Sequence, residues 1–273
     1  MLRPLLTRLG LPLRSALNTL FYRYAGQDRR PVFHEIDEVA PDLRRIERNF
    51  ELIESELERV LPRLEGVPRY HDIDAQQDYI SGSDELSWKV LMLYVWGSAK
   101  DLPNRELCPR TMELVSEVPN VCQAFFSILE PGKCVPAHNG PYFGFLRYHL
   151  AMRVPEQRPP SIRVKDQVYT WRYREGVVFD DTWNHEVINE SDGIRVCLVI
   201  DFLRPMPWPP RTVLAPPVTA SSSAASPTDR PTEPGACTSP CWRRAPPTAR
   251  SCSSTMCWAR SLTRTGSSGR SAR

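Results

Sequence analysis

The sequence predicts a mainly β fold, a small barrel or sandwich preceded by helices. From Val121 onward, short apolar segments alternate with clusters of Gly, Pro and Asp, as in closely spaced strands. Apolar residues in 38–65 recur every three to four positions on a charged background, which indicates an amphipathic helix. After Pro210 the periodicity disappears. We therefore predict a basic leader (1–30), a folded domain (31–210) with its barrel core at 121–209, and a disordered tail (211–273).

The individual elements follow from local patterns. The 38–65 helix is expected to stop at Pro62 and Gly66. A buried strand at 88–96 and a short helix at 104–116, with Pro109 in its first turn, precede the barrel. The predicted barrel strands cover residues 121–130, 145–154, 161–164, 167–171, 177–180, 186–189 and 194–202.

The formal charge of +3 combines an acidic body with a basic tail. Residues 1–210 hold 26 basic and 30 acidic side chains, whereas the tail holds 9 Arg against Asp229 and Glu233. The body lacks the net positive charge typical of nucleic-acid binding, so we expect no nucleic-acid partner. A chain of this length buries a core without disulfides, and we expect a cytoplasmic protein.

The leader is rich in Leu and Arg. Leu residues at near-helical spacing alternate with Arg3, Arg8 and Arg14, a pattern that fits a basic amphipathic helix on a membrane surface. The same pattern fits a helix packed on the domain, and Pro4 and Pro12 weaken a long helix. Peripheral membrane contact through residues 1–24 is therefore an alternative that the sequence leaves open.

Strand alternation brings charged residues together on one face. In 145–154, Arg147 and His149 share a face, and four large apolar residues share the other. In 194–202, Arg195 faces away from the apolar side in the same manner. A desolvated Arg needs an anionic partner, and neither strand offers an evident one. The pattern predicts an anionic small molecule, such as a dicarboxylate held bidentately.

Two histidines lie beside these strands. His138 lies in a loop after a Pro-Gly turn, and His185 lies just after a predicted strand end, ten residues before Arg195. One such histidine is more often structural than a ligand. A pair at loop–strand junctions, with an Arg ten residues after the second, favours a metal site. Non-haem iron(II) oxygenases usually hold the metal with two histidines and one carboxylate and leave coordination positions open.

These motifs resemble the aspartyl/asparaginyl β-hydroxylase family over roughly Arg45 to Pro209. The resemblance is strongest in FFSILEPGKCVPAHNGP, FLRYHLAM, VVFDDTWNHEV and IRVCLVIDFLRP. It implies a double-stranded β-helix (a jelly-roll barrel) that uses iron(II), 2-oxoglutarate and O2. It also implies hydroxylation of an aspartyl or asparaginyl residue, or a related amino-acid unit, in a small molecule or peptide.

The resemblance also implies residue roles. His138 and His185 match the catalytic iron ligands. Arg195, assisted by Ser127, matches the residue that binds the distal carboxylate of 2-oxoglutarate. Arg147, His149 and Trp88 match residues that line the cosubstrate pocket.

One position departs from the wider oxygenase pattern. Those enzymes usually carry an acid two residues after the first histidine, where this chain has Gly140. We therefore expect two protein ligands with water in the third place. The resemblance implies that the lipid-hydroxylating branch tends to carry an acid at this position, so Gly140 favours an amino-acid or peptide substrate over a lipid. Asp180 and Asp181 are interpreted as turn-forming residues rather than ligands.

Two alternative functions stay open. A lipid acyl-chain hydroxylase at a membrane surface would explain the basic leader. A non-catalytic barrel that binds a carboxylate without metal would explain the arginines alone.

Overall fold

A computed structural model of the protein describes residues 15–95 and 103–206. The predicted tail and the first part of the predicted leader lie outside these residues. The described strands are β1 (Phe33–His34), β2 (Trp88–Val95), β3 (Val121–Leu129), β4 (Val135–His138), β5 (Phe145–Arg153), β6 (Ser161–Val164), β7 (Gln167–Thr170), β8 (Gly176–Phe179), β9 (His185–Ile188) and β10 (Arg195–Leu203).

The strands form two antiparallel sheets. The larger has the order β1-β8-β5-β10-β3-β2, and the smaller has the order β4-β9-β6-β7. Apolar side chains from both sheets meet in one interior cluster, which includes Val90, Phe125 and Val199 from the larger and Ile162 and Val187 from the smaller. This is the jelly-roll arrangement, and the predicted mainly β barrel is confirmed.

The short strand β4 was not predicted, and it changes the setting of both histidines. Pro136 lies inside it and has no N–H, so β4 pairs with β9 only at Val135 and at His138, with an irregularity between them. His138 therefore ends a strand and lies opposite His185, the first residue of β9. The prediction that His138 lies in a loop is wrong, because His138 is the last residue of β4, but both histidines do lie at loop–strand junctions as predicted.

Several of the helices cover the outer face of the larger sheet, and others pack at the edge of the barrel interior. Residues 15–24 are helical (α1), followed by α2 (Ile36–Val39), α3 (Leu43–Arg48), α4 (Phe50–Val60), α5 (Tyr70–Ile73), α6 (Asp78–Ser81) and α7 (Pro109–Glu117). Ile53 and Leu57 of α4 pack against Phe126 and Leu198 of the sheet. Within the described residues, none of the helices has the length and apolar character needed to cross a bilayer.

The single helix predicted for 38–65 is divided into α2, α3, α4 and a terminal 3-10 helix (Leu61–Gly66). Ala40 leaves the helical conformation because the following Pro41 disfavours helical backbone at that position. The Asn49 side chain donates to the Arg45 carbonyl oxygen at 2.8 Å, which separates α3 from α4. The apolar periodicity predicted the buried face correctly, but Pro41 and the Asn49 side chain interrupt the helix.

Candidate active site

The site lies inside the barrel, on the face that the strand alternation predicted. Leu146, Tyr148 and Leu150 of β5 face the outer helices. His149 is buried on the opposite face, where its ring packs edge-on against the interior Phe179. On β10, Val196 and Leu198 face outward, and the buried Arg195 lies on the interior side with Cys197.

His138 and His185 form a close pair. Their ring centroids are 4.1 Å apart, with an angle of 53° between the ring planes. The strands β4 and β9 bring them together, since the two residues are direct partners in the ladder. His185 is buried and His138 is half-buried, so the pair lies at the edge of the interior rather than at its centre.

Each imidazole is held in one tautomer by a backbone carbonyl. Nδ1 of His138 contacts the Pro136 carbonyl oxygen at 2.7 Å, and Nδ1 of His185 contacts the Trp183 carbonyl oxygen at 2.9 Å. A carbonyl can only accept, so each Nδ1 carries the hydrogen and each Nε2 presents a lone pair. This is the orientation that metal-binding histidines adopt.

Burial keeps both rings neutral. It lowers the pKa of His138 to about 4 and lowers the pKa of His185 well below its ordinary value. Neutral imidazoles with fixed Nε2 lone pairs can ligate a divalent metal ion. The residues present therefore fit a metal held by two histidines.

A glycine lies where many related sites carry an acid. A Cβ on Gly140 would lie 2.6 Å from the Asp181 carboxyl group, so the Asp181 side chain fills that space. Among the described residues, no group of three or more His, Cys, Asp or Glu side chains is arranged to hold a metal ion. Glycine at position 140 is thus explained by packing against Asp181, whatever the substrate.

The two aspartates before His185 differ in role. Asp180 does form the expected turn, since its carboxylate accepts the Thr182 N–H at 3.0 Å. It is also fully buried, with ion pairs to Arg30 at 3.0 Å and Arg204 at 2.7 Å. Burial raises the pKa of Asp181 to about 6. Describing both as simple turn residues was therefore incomplete.

Arg195 is a buried cation that forms no ion pair with any residue in 15–95 or 103–206. Its contacts are the Ser127 hydroxyl at 3.3 Å and the Ser127 carbonyl oxygen at 3.4 Å. Its guanidinium also lies 4.8 Å from the ring centre of Trp171. A buried guanidinium without a carboxylate is costly, so the site is suited to an anionic ligand.

Three buried polar atoms near Arg195 find no hydrogen-bond partner among the described residues. They are Nε of Arg195, Nε1 of Trp171 and Nδ1 of His149. The His149 and Trp171 rings are nearly parallel, with centroids 5.8 Å apart, so all three groups belong to one cluster. Buried polar groups are normally satisfied, and a carboxylate would accept from this set.

Trp88 and Ser127 extend this cluster along the larger sheet. The Trp88 indole N–H donates to the Ser127 hydroxyl at 2.9 Å, and that hydroxyl faces Arg195. Tyr70 of α5 packs on Trp88 with ring centroids 4.7 Å apart. Ser127 therefore links Trp88 and Arg195 through hydrogen bonds of its hydroxyl group.

Arg147 differs from Arg195, and the prediction that it lacks an acidic partner is wrong. It lies opposite Asp201 in the β5–β10 ladder, and it donates to both carboxylate oxygens of Asp201 at 2.7 and 2.8 Å. Asp181 adds a third contact at 3.4 Å. Burial alone would lower the pKa of Arg147, but these carboxylates raise it above its ordinary value.

Sequence reasoning missed Trp171, Asp201 and Tyr70. Asp201 was detectable, since it is six residues after Arg195 and therefore on the same face of β10. Trp171 follows the end of β7, where alternation no longer fixes the direction of a side chain. Tyr70 reaches the site from a helix, which has no readable relation to the strand pattern.

Comparison with known proteins identifies the family of this chain. A family model described as Aspartyl/Asparaginyl beta-hydroxylase matches residues 47–205. The ornithine lipid ester-linked acyl 2-hydroxylase of Rhizobium tropici is 37% identical over 209 residues, covering 76% of this chain and 73% of that protein. The human aspartyl/asparaginyl beta-hydroxylase is 27% identical over 170 residues, covering 59% of this chain but only 21% of that protein.

Among solved structures, a cupin 2 conserved barrel domain protein from Salinispora arenicola covers 42% of this chain and 75% of its own, with 11% identity and a TM-score of 0.29. That likeness is too low to carry an argument. The family match spans more than half of the chain and contains both histidines, Ser127 and both interior arginines. The chain therefore belongs to the aspartyl/asparaginyl β-hydroxylase family.

Proposed function

We propose that this protein is an iron(II)- and 2-oxoglutarate-dependent hydroxylase. The observation that carries the proposal is the pairing of two neutral histidines, His138 and His185, with a buried guanidinium, Arg195, that has no carboxylate partner among the described residues. 2-Oxoglutarate chelates a metal ion at one end and carries a carboxylate at the other. It therefore requires both a metal site and an anion site.

In this proposal His138 and His185 hold the iron through their Nε2 atoms, and water takes the place of a third protein ligand. Arg195, Ser127, His149 and Trp171 hold the distal carboxylate of 2-oxoglutarate. When bound, the iron, the cosubstrate and O2 together supply the oxidation that converts a substrate C–H bond to C–OH, with succinate and carbon dioxide as coproducts. The buried walls exclude bulk water from that step.

The two named relatives act on chemically related carbons. The β-carbon of an aspartyl or asparaginyl residue is bonded to the side-chain carbonyl carbon. Carbon 2 of an ester-linked acyl chain is likewise bonded to the ester carbonyl carbon. We infer that the shared substrate feature is a methylene next to a carbonyl group, which the family site is shaped to oxidise.

Of the two substrate classes, we propose an ester-linked acyl chain. The lipid-modifying relative is 37% identical over 76% of this chain, against 27% over 59% for the human protein-modifying one. The contrary argument from Gly140 loses its force because Asp181 fills that space. An aspartyl or asparaginyl substrate is the second candidate, supported by the family match.

The test is a two-substrate assay. The full chain, loaded anaerobically with iron(II) and 2-oxoglutarate, is mixed with air and either an ornithine lipid in detergent or an aspartyl-containing peptide. We expect 2-oxoglutarate-dependent succinate and a lipid product heavier by one oxygen atom. Hydroxylated peptide without hydroxylated lipid would reverse the choice of substrate.

Two controls separate catalysis from binding. His185→Ala should abolish succinate formation, and equal succinate from that variant would remove His185 as a ligand. Metal analysis of protein purified without chelators tests the non-catalytic alternative. A chain that binds 2-oxoglutarate but no divalent metal would be a carboxylate-binding barrel and not an oxygenase.

A further inference from the structure

One N-terminal segment, residues 15–30, contacts two loops, the one that follows His138 and the one that precedes His185. Asn18 of α1 donates to the Pro141 carbonyl oxygen at 3.1 Å and accepts from the Phe143 N–H at 2.9 Å. Phe21 packs edge-on against Tyr142, with ring centroids 5.4 Å apart. These contacts fix the loop that directly follows His138.

The end of the same segment fixes the loop that precedes His185. Arg30 is buried, and its Nε donates to Asp180 at 3.0 Å and to the Thr182 hydroxyl at 3.2 Å. Its guanidinium lies 3.6 Å from the ring centre of Trp183. A displacement of this segment would therefore disturb both histidine loops at once.

The N-terminal segment that holds these loops lies outside the residues that the family model matches. The family model begins at residue 47, whereas every bracing side chain precedes residue 31. The barrel thus receives from its own N-terminal segment a support that the family match does not include.

Residues 1–30, which include this segment, carry a net charge opposite to that of the domain. Residues 1–30 contain six Arg and one acidic residue, Asp28, whereas residues 31–210 contain 20 basic and 29 acidic residues. Arg23 and Arg29 are exposed. Leu residues lie between Arg3, Arg8 and Arg14 in the sequence. Basic residues interspersed with Leu suit an anionic lipid surface, which the acidic domain avoids.

We propose that the basic N-terminal residues dock this protein on an anionic lipid bilayer. Because residues 15–30 hold the loops beside His138 and His185, docking brings those loops to that surface. The proposal rests on the proposed function in treating those loops as the catalytic rim. Docking itself needs no bound metal. The exposed arginines give the affinity, and Asn18 and Arg30 transmit the position of the segment to the loops.

The first test is co-sedimentation of the full chain with vesicles of phosphatidylcholine alone or mixed with equal phosphatidylglycerol. We expect binding only to the mixed vesicles. Each surface arginine contributes about fivefold in affinity, so Arg23→Glu with Arg29→Glu should weaken binding by at least about thirtyfold, since the two new carboxylates also repel the anionic surface. Arg48→Glu with Arg63→Glu, in the outer helical layer, makes the same change in net charge and should weaken it by less than about threefold.

The second test is hydrogen exchange in the two loops, measured on metal-free protein. Mixed vesicles should slow exchange in residues 139–143 and 180–184 of the wild type. Asn18→Ala should bind vesicles as the wild type does but lose the slowing in 139–143. Equal binding to neutral vesicles, equal weakening by both arginine pairs, or binding that leaves both loops unchanged would overturn the proposal.

Neither measurement depends on turnover. Vesicle binding without any hydroxylation would refute the proposed function and leave the docking inference standing. Hydroxylation by a protein that does not bind anionic vesicles would refute the docking inference and leave the proposed function standing.

Discussion

Arg147 on β5 and Asp201 on β10 are direct partners across the two strands, joined by two hydrogen bonds of 2.7 and 2.8 Å. Arg195 lies on the same strand as Asp201 and is buried without any such partner among the described residues. The two arginines looked equivalent in the sequence. In the fold, one is part of a closed ion pair and the other is available to a ligand.

This difference predicts opposite effects of one substitution. Arg195→Met removes a buried, uncompensated charge and should stabilise the ligand-free protein by about 1–4 kcal/mol. Arg147→Met leaves Asp201 and Asp181 without their cation and should destabilise it by about 3–5 kcal/mol. Urea unfolding of both variants measures this. A less stable Arg195→Met protein would contradict the assignment of Arg195 as a ligand-binding cation.

Replacing either histidine of the close pair should abolish metal binding. His138→Ala or His185→Ala removes one of two nitrogen ligands, so we expect manganese(II) affinity to fall by at least about a hundredfold. His71→Ala, in the same region but outside the pair, serves as the matched control. Titration calorimetry measures the affinities, and wild-type affinity in either variant would exclude that histidine as a ligand.

Trp171 should contribute to cosubstrate binding through its indole N–H. Trp171→Phe keeps the ring beside Arg195 but removes a donor to a carboxylate, which should weaken 2-oxoglutarate binding by about tenfold or more. Trp88→Phe removes only a bond to the neutral Ser127 hydroxyl and should cost no more than about fivefold. Binding is measured on manganese-loaded protein. A larger effect at Trp88 than at Trp171 would contradict this arrangement.

Gly140 should be required because of Asp181. Gly140→Ala places a methyl group 2.6 Å from the Asp181 carboxyl group and should destabilise the fold by about 1–3 kcal/mol. In a protein that already carries Asp181→Ala, the same change should cost less. A double-mutant cycle in urea measures the coupling, and simple additivity would show that the carboxyl group is not what excludes a side chain there.

The metal-free protein should lose stability in mild acid. Burial lowers the pKa of His34 and of His138 to about 4, and it lowers those of His149 and His185 well below the ordinary value. The unfolded chain binds protons at these groups near pH 6.5, so stability falls as the pH decreases from about 6.5 towards 4. Each histidine contributes at most about 1.4 kcal/mol per pH unit.

One group opposes this trend. Burial raises the pKa of Asp181 to about 6, so its protonated form favours the folded state as the pH falls through that value. Four histidines outweigh one carboxyl group. The urea midpoint should therefore be lower at pH 5 than at pH 7, and an equal or higher midpoint at pH 5 would contradict the expected neutral state of the buried histidines.

The alternation of apolar and polar residues in the strands predicted most of the fold. Residues 145–154 and 194–202 alternate regularly because each strand buries one face under helices and turns the other into the barrel, so Arg147, His149 and Arg195 could be assigned to the interior. The short β4 could not be predicted, since Pro136 breaks its pattern and its pairing with β9 involves only Val135 and His138.

The sequence by itself determined which side chains enter the barrel, because alternation is a local property of each strand. It also supplied the family resemblance, through His138, Arg195 and His185 at their spacing. Only the tertiary structure decided which of these groups are free to bind. Partners such as Asp201 for Arg147, Asp181 for Gly140 and Trp171 for Arg195 come from distant parts of the chain, and a contact between elements has no local pattern.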